Sequence, residues 1–141
     1  MIEEDPVTIL TEGECWEMLS REEFGRLAFH LAGEVHITPI NYVVDGRRLL
    51  FRTAEGGKLL GVAMNDDVAF EIDDFGDTRA SSVVLRGRAS ILEGPDADIV
   101  DNLPLRPWVP TTKLMVVEIR VDEISGRKFT LQRPWLHARP S

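Results

Sequence analysis

The chain of 141 residues contains a single cysteine, Cys15. An intramolecular disulfide needs two cysteines and a thiolate metal cluster needs several, so both are excluded. Cys15 lies beside Trp16 in a predicted helix, a setting more typical of a small packing residue than of a nucleophile. The fold must therefore be held together by a hydrophobic core, and a chain of this length can bury one.

Long apolar runs are missing as well. No stretch approaches the roughly 20 residues that a helix needs to span a bilayer. The first ten residues, MIEEDPVTIL, are acidic and lack the basic start and the apolar run of a signal peptide. We therefore expect a cytoplasmic protein with one domain over residues 1–141.

Positive charge is scarce. The chain has 16 Lys and Arg residues against 24 Asp and Glu residues, a net charge of −8. Nucleic-acid binding depends on clustered Lys and Arg, so broad contact with nucleic acid is not expected. A local basic pocket remains compatible with this composition.

Metal ligands and nucleophile motifs are sparse too. His30, His36 and His137 are scattered and show no metal-ligand spacing. The acidic run at residues 71–77 lacks the spacing of an EF-hand. No Ser-His-Asp order is convincing. We therefore expect no metal site, and the catalytic residues stay unassigned.

The most informative stretch that is present runs over residues 36–58 (HITPINYVVDGRRLLFRTAEGGK). Residues 35–44 are rich in Val, Ile, Thr and Tyr and predict a strand. Asp45-Gly46 predicts the two positive-φ positions of a type I′ turn, and residues 48–53 predict the returning strand. In that second strand, one face holds Leu49, Phe51 and Thr53, and the other holds Leu50 and Arg52.

The end of this predicted hairpin suits a phosphate. Arg52 offers a planar fork of donors, and Thr53 offers a hydroxyl. Gly56-Gly57 lets backbone N–H groups turn toward an anion. Lys58 begins a predicted helix over residues 58–64, whose N-terminus attracts anions. On residue types alone, a strand-to-helix loop with solvated charges remains an equal alternative.

The rest of the chain reads mainly as strands joined by short connections. Thr11 and Glu14 form a capping-box pattern before a helix over residues 12–20, which should bury Trp16 and Leu19. Many strands with few, short helices predict a mainly β fold, a closed or split antiparallel barrel. Further strands are expected over residues 7–10, 25–31, 68–73, 82–92, 113–121 and 127–132, with turns at Gly33-Glu34 and Ser125-Gly126, a polar loop over 74–80 and a short helix over 95–103. Alternate residues of the strand over 68–73, which are Val68, Phe70 and Ile72, should face inward, and Gly87 in mid-strand predicts a bulge or a close backbone approach.

Several of these runs also resemble the pyridoxamine 5′-phosphate oxidase-like flavoproteins, in particular short actinobacterial-type members. The resemblance covers residues 22–124. It implies an FMN-binding split barrel that works as a homodimer, with the flavin between the subunits. The runs that carry it are residues 40–46 (INYVVDG), 50–54 (LFRTA), Gly57-Lys58, 68–71 (VAFE) and 84–89 (VLRGRA).

The resemblance also implies a cofactor site, residue by residue. It places Arg52, Thr53 and Lys58 at the flavin phosphate, with Gly57 in the adjoining loop, and four residues along the strand beneath the isoalloxazine ring. Two more are candidates for contacts from the partner subunit, although Trp108 also suits plain interface packing. The three groups are Arg52, Thr53, Gly57 and Lys58; Pro39, Ile40, Asn41 and Tyr42; and Trp108 and Lys113.

One departure bears on the reaction. The oxidase proper carries an Arg-x-His element near its C-terminus that grips the substrate phosphate. Here Arg127 is present, but Phe129 stands where the His would fall. We therefore expect the family's fold and cofactor site rather than oxidation of pyridoxamine phosphate.

These observations predict an FMN-dependent oxidoreductase that passes electrons from a reduced nicotinamide to a small oxidised acceptor, with a nitroreductase-like activity as one option. One alternative is a non-catalytic flavin carrier or redox sensor. Another is a reductase that uses the deazaflavin coenzyme, whose anionic tail Arg133 and Arg139 could meet. Haem binding through His36 is the least favoured reading.

Overall fold

A single antiparallel sheet dominates the computed structural model, which describes residues 6–54, 67–105 and 114–132. Within these ranges, two short helices and one 3₁₀ turn accompany it. The strands are β1 (Val7–Ile9), β2 (Phe24–Leu31), β3 (Glu34–Asn41), β4 (Val43–Asp45), β5 (Arg48–Ala54), β6 (Asp67–Phe75), β7 (Arg79–Leu92) and β8 (Leu114–Thr130); the helices are α1 (Glu12–Arg21) and α2 (Pro95–Asp98), and the 3₁₀ turn is Ile99–Asn102.

The sheet curls into a barrel. Its two end strands are joined by the covalent chain and are not paired with each other by hydrogen bonds. Its strand order is β3-β2-β6-β7-β8-β5-β4, and β1 adds to β8. The two end strands, β3 and β4, are consecutive in the chain and only Tyr42 separates them. One residue cannot cross a flat sheet, so the two ends must come together around the core. This confirms the predicted split antiparallel barrel.

Alternation along each strand builds the core. In β5, Leu49 and Phe51 are completely buried inside the barrel, as the sequence pattern predicts. Leu50 is buried too, but on the outer face of the strand. There it joins a second group, the outer cluster, which consists of Val43, Leu50, Val100, Leu105 and Val116.

The first helix begins as predicted. The Glu14 backbone N–H donates to Thr11 Oγ1 over 3.2 Å, and the Thr11 N–H donates to Glu14 Oε1 over 2.9 Å. This reciprocal pair is the capping box that the sequence indicated. Leu19 is buried as expected, but Trp16 is only half-buried. Cys15 is fully buried instead and confirms the packing role.

The hairpin at Asp45 differs from the prediction. Asp45 pairs with Arg48, so the loop residues are Gly46 and Arg47. Among the described residues only Gly46 has a positive φ in this loop, +64°, which fits a type II′ turn rather than type I′. The predicted first strand is also interrupted at Tyr42, since residues 34–41 pair with β2 and only residues 43–45 pair with β5.

The turn between β2 and β3 lies one residue earlier than predicted. Leu31 pairs with Glu34, so Ala32 and Gly33 form the loop instead of Gly33 and Glu34. Both loop residues have positive φ, +53° and +80°, which is the type I′ pattern. A type I′ turn, which the sequence predicted at Asp45-Gly46, is therefore found between β2 and β3 instead.

The predicted turn at Ser125-Gly126 is wrong. Strand β8 runs without a break from Leu114 to Thr130. A Cβ on Gly126 would lie 2.8 Å from the Cys15 sulfur and 2.9 Å from Leu10 Cδ1. Glycine is therefore required here by the close approach of Leu10 and of Cys15 in α1 rather than by a turn.

The predicted polar loop over residues 74–80 is also mostly strand. Strand β6 continues to Phe75, which pairs with Ala80, and β7 starts at Arg79. Polar residues there face outward on paired strands. By contrast, the predicted irregularity at Gly87 is confirmed, because the pairing of β7 with β8 shifts register between Arg86 and Gly87.

Two further features complete the architecture. The predicted short helix over residues 95–103 is present as α2 followed by the 3₁₀ turn. Val100 from that turn is 3% exposed and packs into the outer cluster, so the segment lies on the outer face of the barrel. Within the described parts of the chain, no helix has the length and apolar character needed to cross a membrane.

Candidate functional site

The barrel opens where β3 and β5 part. The last hydrogen-bonded pair between β4 and β5 at this end is Val43 with Leu50. Beyond it, Asn41 pairs with Phe24 of β2, and Arg52 pairs with Val116 of β8. The two stretches with most of the predicted cofactor-binding residues, 39–42 and 52–53, therefore lie on the two strands that diverge beyond this pair, and the gap between these strands is called the cleft below.

Arg52 and Thr53 lie at the cleft end of β5 on opposite faces, as their spacing predicts. Thr53 is 8% exposed and points toward the interior. The Arg52 side chain is 22% exposed and lies on the outer face, beside Leu50 of the outer cluster. A phosphate that met both residues would have to sit past the strand end, where the two faces meet.

Asp101 is the partner of Arg52. Arg52 Nη2 donates to Asp101 Oδ1 over 3.0 Å, and the Asp101 side chain is 70% exposed. The sequence analysis missed this residue. Nothing in the local sequence separates Asp101 from Asp96 and Asp98 of the same acidic segment; only the packing of the 3₁₀ turn onto β5 selects it.

Residues 39–42 lie on the β3 side of the cleft, and the burial of their side chains alternates. Pro39 is exposed, Ile40 is 8% exposed and Asn41 is half-buried. Tyr42 is 3% exposed, and its hydroxyl donates to the carbonyl oxygen of Leu19 over 2.6 Å. Its ring meets Phe70 edge-on, with the centroids 4.9 Å apart. Tyr42 is thus a core residue, and its backbone N–H is also engaged, because it donates to the carbonyl oxygen of Glu23.

Burial raises the pKa of the Tyr42 hydroxyl, and the nearby charge of Glu22 adds to the effect. The phenol therefore stays protonated across the physiological range. It acts as a hydrogen-bond donor to helix α1 and does not serve as a base.

The remaining predicted cofactor-binding residues, Gly57, Lys58, Trp108 and Lys113, lie outside the described residues. The same is true of Arg133 and Arg139, which were considered for an anionic tail. Their roles stay predictions.

A buried ion-pair network lies at the far end of β5. Glu118 is 3% exposed and accepts from Arg48 Nη1 over 2.6 Å and from Arg120 Nε over 2.8 Å. Arg48 also binds Asp45 Oδ2 over 2.7 Å. Burial opposes ionisation of Glu118, but the two guanidinium groups outweigh it and lower its pKa. This network fixes the β4–β5 hairpin and involves none of the predicted cofactor-binding residues.

His36, the candidate haem ligand, lies on β3 and contacts residues of β2 and β3. The His36 ring stacks on Phe29 with the centroids 5.3 Å apart, and His36 Nε2 lies 3.6 Å from Glu34 Oε2. Among the described residues, no three His, Cys, Asp or Glu side chains group in a way that could hold a metal ion.

The Arg-x-Phe element lies on β8 away from the cleft. Arg127 is exposed and pairs with Ser82 and Ile9, whereas Phe129 pairs with Ala80 and Val7. A groove of about 480 Å³ opens elsewhere, beside the β7–β8 irregularity. Its described lining, which includes His30, Val35 and Gly87, contains none of the predicted cofactor-binding residues.

The chain is similar in sequence to known proteins. The family model for pyridoxamine 5′-phosphate oxidase matches residues 11–128. An uncharacterized protein of Mycobacterium tuberculosis is 30% identical over 127 residues, which cover 85% of this chain and 84% of the relative.

Two solved structures show the same fold. A protein of Corynebacterium glutamicum, assigned to the pyridoxamine 5′-phosphate oxidases, has a TM-score of 0.81 at 39% identity, with 93% of this chain and 99% of that chain covered. The FAD binding protein of Mycobacterium smegmatis has a TM-score of 0.80 at 39% identity, with 89% and 100% covered. By its sequence and its fold, this chain belongs to the pyridoxamine 5′-phosphate oxidase family.

Proposed function

We propose that this protein binds FMN in the cleft between β3 and β5 and works as an oxidoreductase that passes electrons from a reduced nicotinamide to a small oxidised acceptor. The observation that carries the proposal is the position of Arg52. It is a half-buried cation, with a side chain that is 22% exposed, at the point where β5 diverges from the strand that carries residues 39–41.

The described residues fit a flavin phosphate. The Arg52 guanidinium has five N–H donors, and its one contact among the described residues is the bond from Nη2 to Asp101. Its other donors can meet phosphate oxygens. Thr53 adds a hydroxyl at the same strand end, and Ile40 adds apolar surface on the other wall. An apolar wall with a cationic end is what a flavin phosphate requires.

A bound flavin would supply the two-electron chemistry, and the protein's residues would hold and orient it. Arg52 would neutralise phosphate charge, and backbone groups of residues 39–41, where Pro39 contributes only its C=O because proline has no N–H, would reach the edge of the ring. Since Tyr42 is buried and protonated, none of the described cleft residues is assigned as a catalytic acid or base.

FAD is the second candidate cofactor. A relative at 39% identity is named an FAD binding protein, and FAD carries its first phosphate at the same ribityl position as FMN. The deazaflavin coenzyme is a third option on the same fold. All three share a ring and a phosphate, so the phosphate contacts proposed for Arg52 apply to each.

We also propose that the protein is a homodimer with the flavin at the subunit interface. The outer face of strands β3, β2, β6 and β7 supports this. Val35 is 80% exposed and Ile37 is 70% exposed on β3. Beside them, a mainly apolar groove of about 220 Å³ is lined in part by Ala28, Ala69 and Val84. A self-complementary apolar face is what a two-fold dimer needs.

Sedimentation of two matched variants tests the dimer. Ile37→Lys places a charge in the centre of the apolar face, and we expect it to shift the wild-type dimer toward monomer. Ile9→Lys is the control, because Ile9 is 78% exposed on β1, outside this face. A wild-type monomer, or equal behaviour of both variants, would contradict the proposed interface.

A flavin titration tests the cofactor. The purified protein is titrated with FMN, FAD, the deazaflavin coenzyme and riboflavin, and flavin fluorescence is followed. We expect stoichiometric binding of FMN and about 10- to 150-fold weaker binding by Arg52→Ala, since charge-assisted hydrogen bonds contribute about 1.5–3 kcal/mol. Arg79→Ala, an exposed arginine on β7, is the control and should bind normally.

Activity separates the enzyme from the carrier. The loaded protein is mixed with reduced nicotinamide and a nitroaromatic acceptor, and nicotinamide oxidation is followed. Turnover above that of free FMN supports the oxidoreductase. Tight binding without turnover supports a flavin carrier or redox sensor instead.

A further inference from the structure

We propose that Asp101 is a built-in counter-ion that lowers the affinity of Arg52 for the flavin phosphate, so that its removal tightens binding of phosphorylated flavins and leaves riboflavin binding unchanged. The proposal rests on the proposed function and concerns the same site. Its basis is the 3.0 Å contact between Arg52 Nη2 and Asp101 Oδ1 at the cleft end of β5.

The position of Asp101 is fixed by packing. Its neighbour Val100 is 3% exposed and packs against Leu50 and Val116 in the outer cluster. Val116 is also the strand partner of Arg52 on β8. The 3₁₀ turn and the end of β5 therefore form one packed unit, and the carboxylate is held beside the guanidinium.

The charge of Asp101 opposes a phosphate. A flavin phosphate would bring up to two negative charges to the same guanidinium. Asp101 already neutralises part of the positive charge and occupies one of the Arg52 donors. Because Asp101 is 70% exposed, solvent screens its charge, and the effect on phosphate affinity should be modest rather than prohibitive.

Asp101 differs from the other aspartates of this segment because it forms an ion pair with Arg52. Asp96 and Asp98 are exposed in α2, and neither forms an ion pair within the described part of the structure. Asp98→Asn therefore removes the same charge from the same segment without touching the Arg52 contact. It provides a matched control for general charge effects.

The test compares Kd values of the full chain for FMN, FAD and riboflavin at several salt concentrations. We expect Asp101→Asn to tighten FMN binding about three- to fivefold, the scale of an exposed ion pair, with riboflavin unchanged. Asp98→Asn should stay near wild type. In the Arg52→Ala background, Asp101→Asn should have no effect, because Asp101 acts through Arg52.

The other outcomes are distinct. If wild type binds FMN but Asp101→Asn matches Asp98→Asn, the counter-ion role is overturned while the flavin site stands. If Asp101→Asn weakens FMN and riboflavin equally, Asp101 has only a structural role and the proposal fails. If wild type binds neither FMN nor FAD, the proposed function fails and this inference falls with it.

Discussion

The hydroxyl of Tyr42 donates a 2.6 Å hydrogen bond to the main-chain carbonyl of Leu19 and so ties the point where the barrel splits to helix α1. Tyr42 is the only residue between β3 and β4, the two ends of the sheet. Its backbone N–H also donates to the carbonyl of Glu23 over 2.9 Å. The residue that the sequence placed beneath a flavin ring therefore has a structural role through its side chain.

Because the Tyr42 side chain has a structural role, its substitution should lower the stability of the fold without weakening flavin binding. We expect Tyr42→Phe to lower the free energy of unfolding by about 1–2 kcal/mol, since the Leu19 carbonyl loses its buried donor. Urea denaturation measures the loss. Under conditions in which the variant is fully folded, its dissociation constant for FMN should stay within twofold of the wild-type value. A large loss of flavin affinity without a loss of stability would contradict the structural role.

The Glu118 network predicts a pH-dependent contribution to stability. Its pKa is lowered in the folded protein from an ordinary value of 4.5, because the bonds to Arg48 and Arg120 outweigh burial. Folding then favours the ionised carboxyl, so the contribution is present above pH 4.5 and is lost as the pH falls through the lowered pKa.

Glu118→Gln should remove this contribution. We expect it to cost about 1–3 kcal/mol at pH 7, because bonds to charged groups are replaced by weaker ones. The difference from wild type should shrink as the pH falls below 4.5. Denaturant midpoints across this pH range measure it, with Glu93→Gln, an exposed position, as the control. A difference that does not depend on pH would contradict the assignment.

The β2–β3 turn contains a strained alanine. Ala32 has a φ of +53°, a region that costs an ordinary L-residue roughly 1–2 kcal/mol. Asparagine tolerates this conformation, and Asn-Gly is the preferred pair for a type I′ turn. We expect Ala32→Asn to stabilise the protein by about 0.5–1 kcal/mol, read as a higher denaturant midpoint. An unchanged or lower midpoint would show that the turn does not carry this strain.

Crowding at Gly126 predicts a large loss from a small change. Gly126→Ala would bring a methyl group to 2.8 Å from the Cys15 sulfur and 3.1 Å from the Ser82 carbonyl oxygen. We expect a loss of about 1–3 kcal/mol from overpacking. Adding Cys15→Ala should recover part of that loss, because it removes one of the crowding atoms.

A second glycine supplies the control. Gly13 lies in α1, and a Cβ there would meet nothing within 4 Å. Gly13→Ala should therefore stabilise by about 0.5–1 kcal/mol through helix propensity. If Gly126→Ala were as harmless as Gly13→Ala, β8 would not pack as closely on α1 as the structure shows.

The sequence by itself determined the secondary elements wherever a periodic signal was local. The two-residue alternation in β5 and β6, the capping box at Thr11 and the irregularity at Gly87 were all predicted, because each depends on neighbours in the chain. The many short connections between strands were enough to predict a split barrel. The order and spacing of the motifs were enough to predict the family.

Only the tertiary structure decided which strands pair and which charges meet. Ser125-Gly126 reads as a turn locally, yet contacts with Cys15 and Ser82 make it the middle of a 17-residue strand. Asp101 and Arg52 are far apart in the chain and meet only because the 3₁₀ turn packs on the outer cluster. Residues 39–41 and Arg52 lie on two strands that diverge on the β3 side of Tyr42. That arrangement depends on long-range strand pairing, which no local pattern encodes.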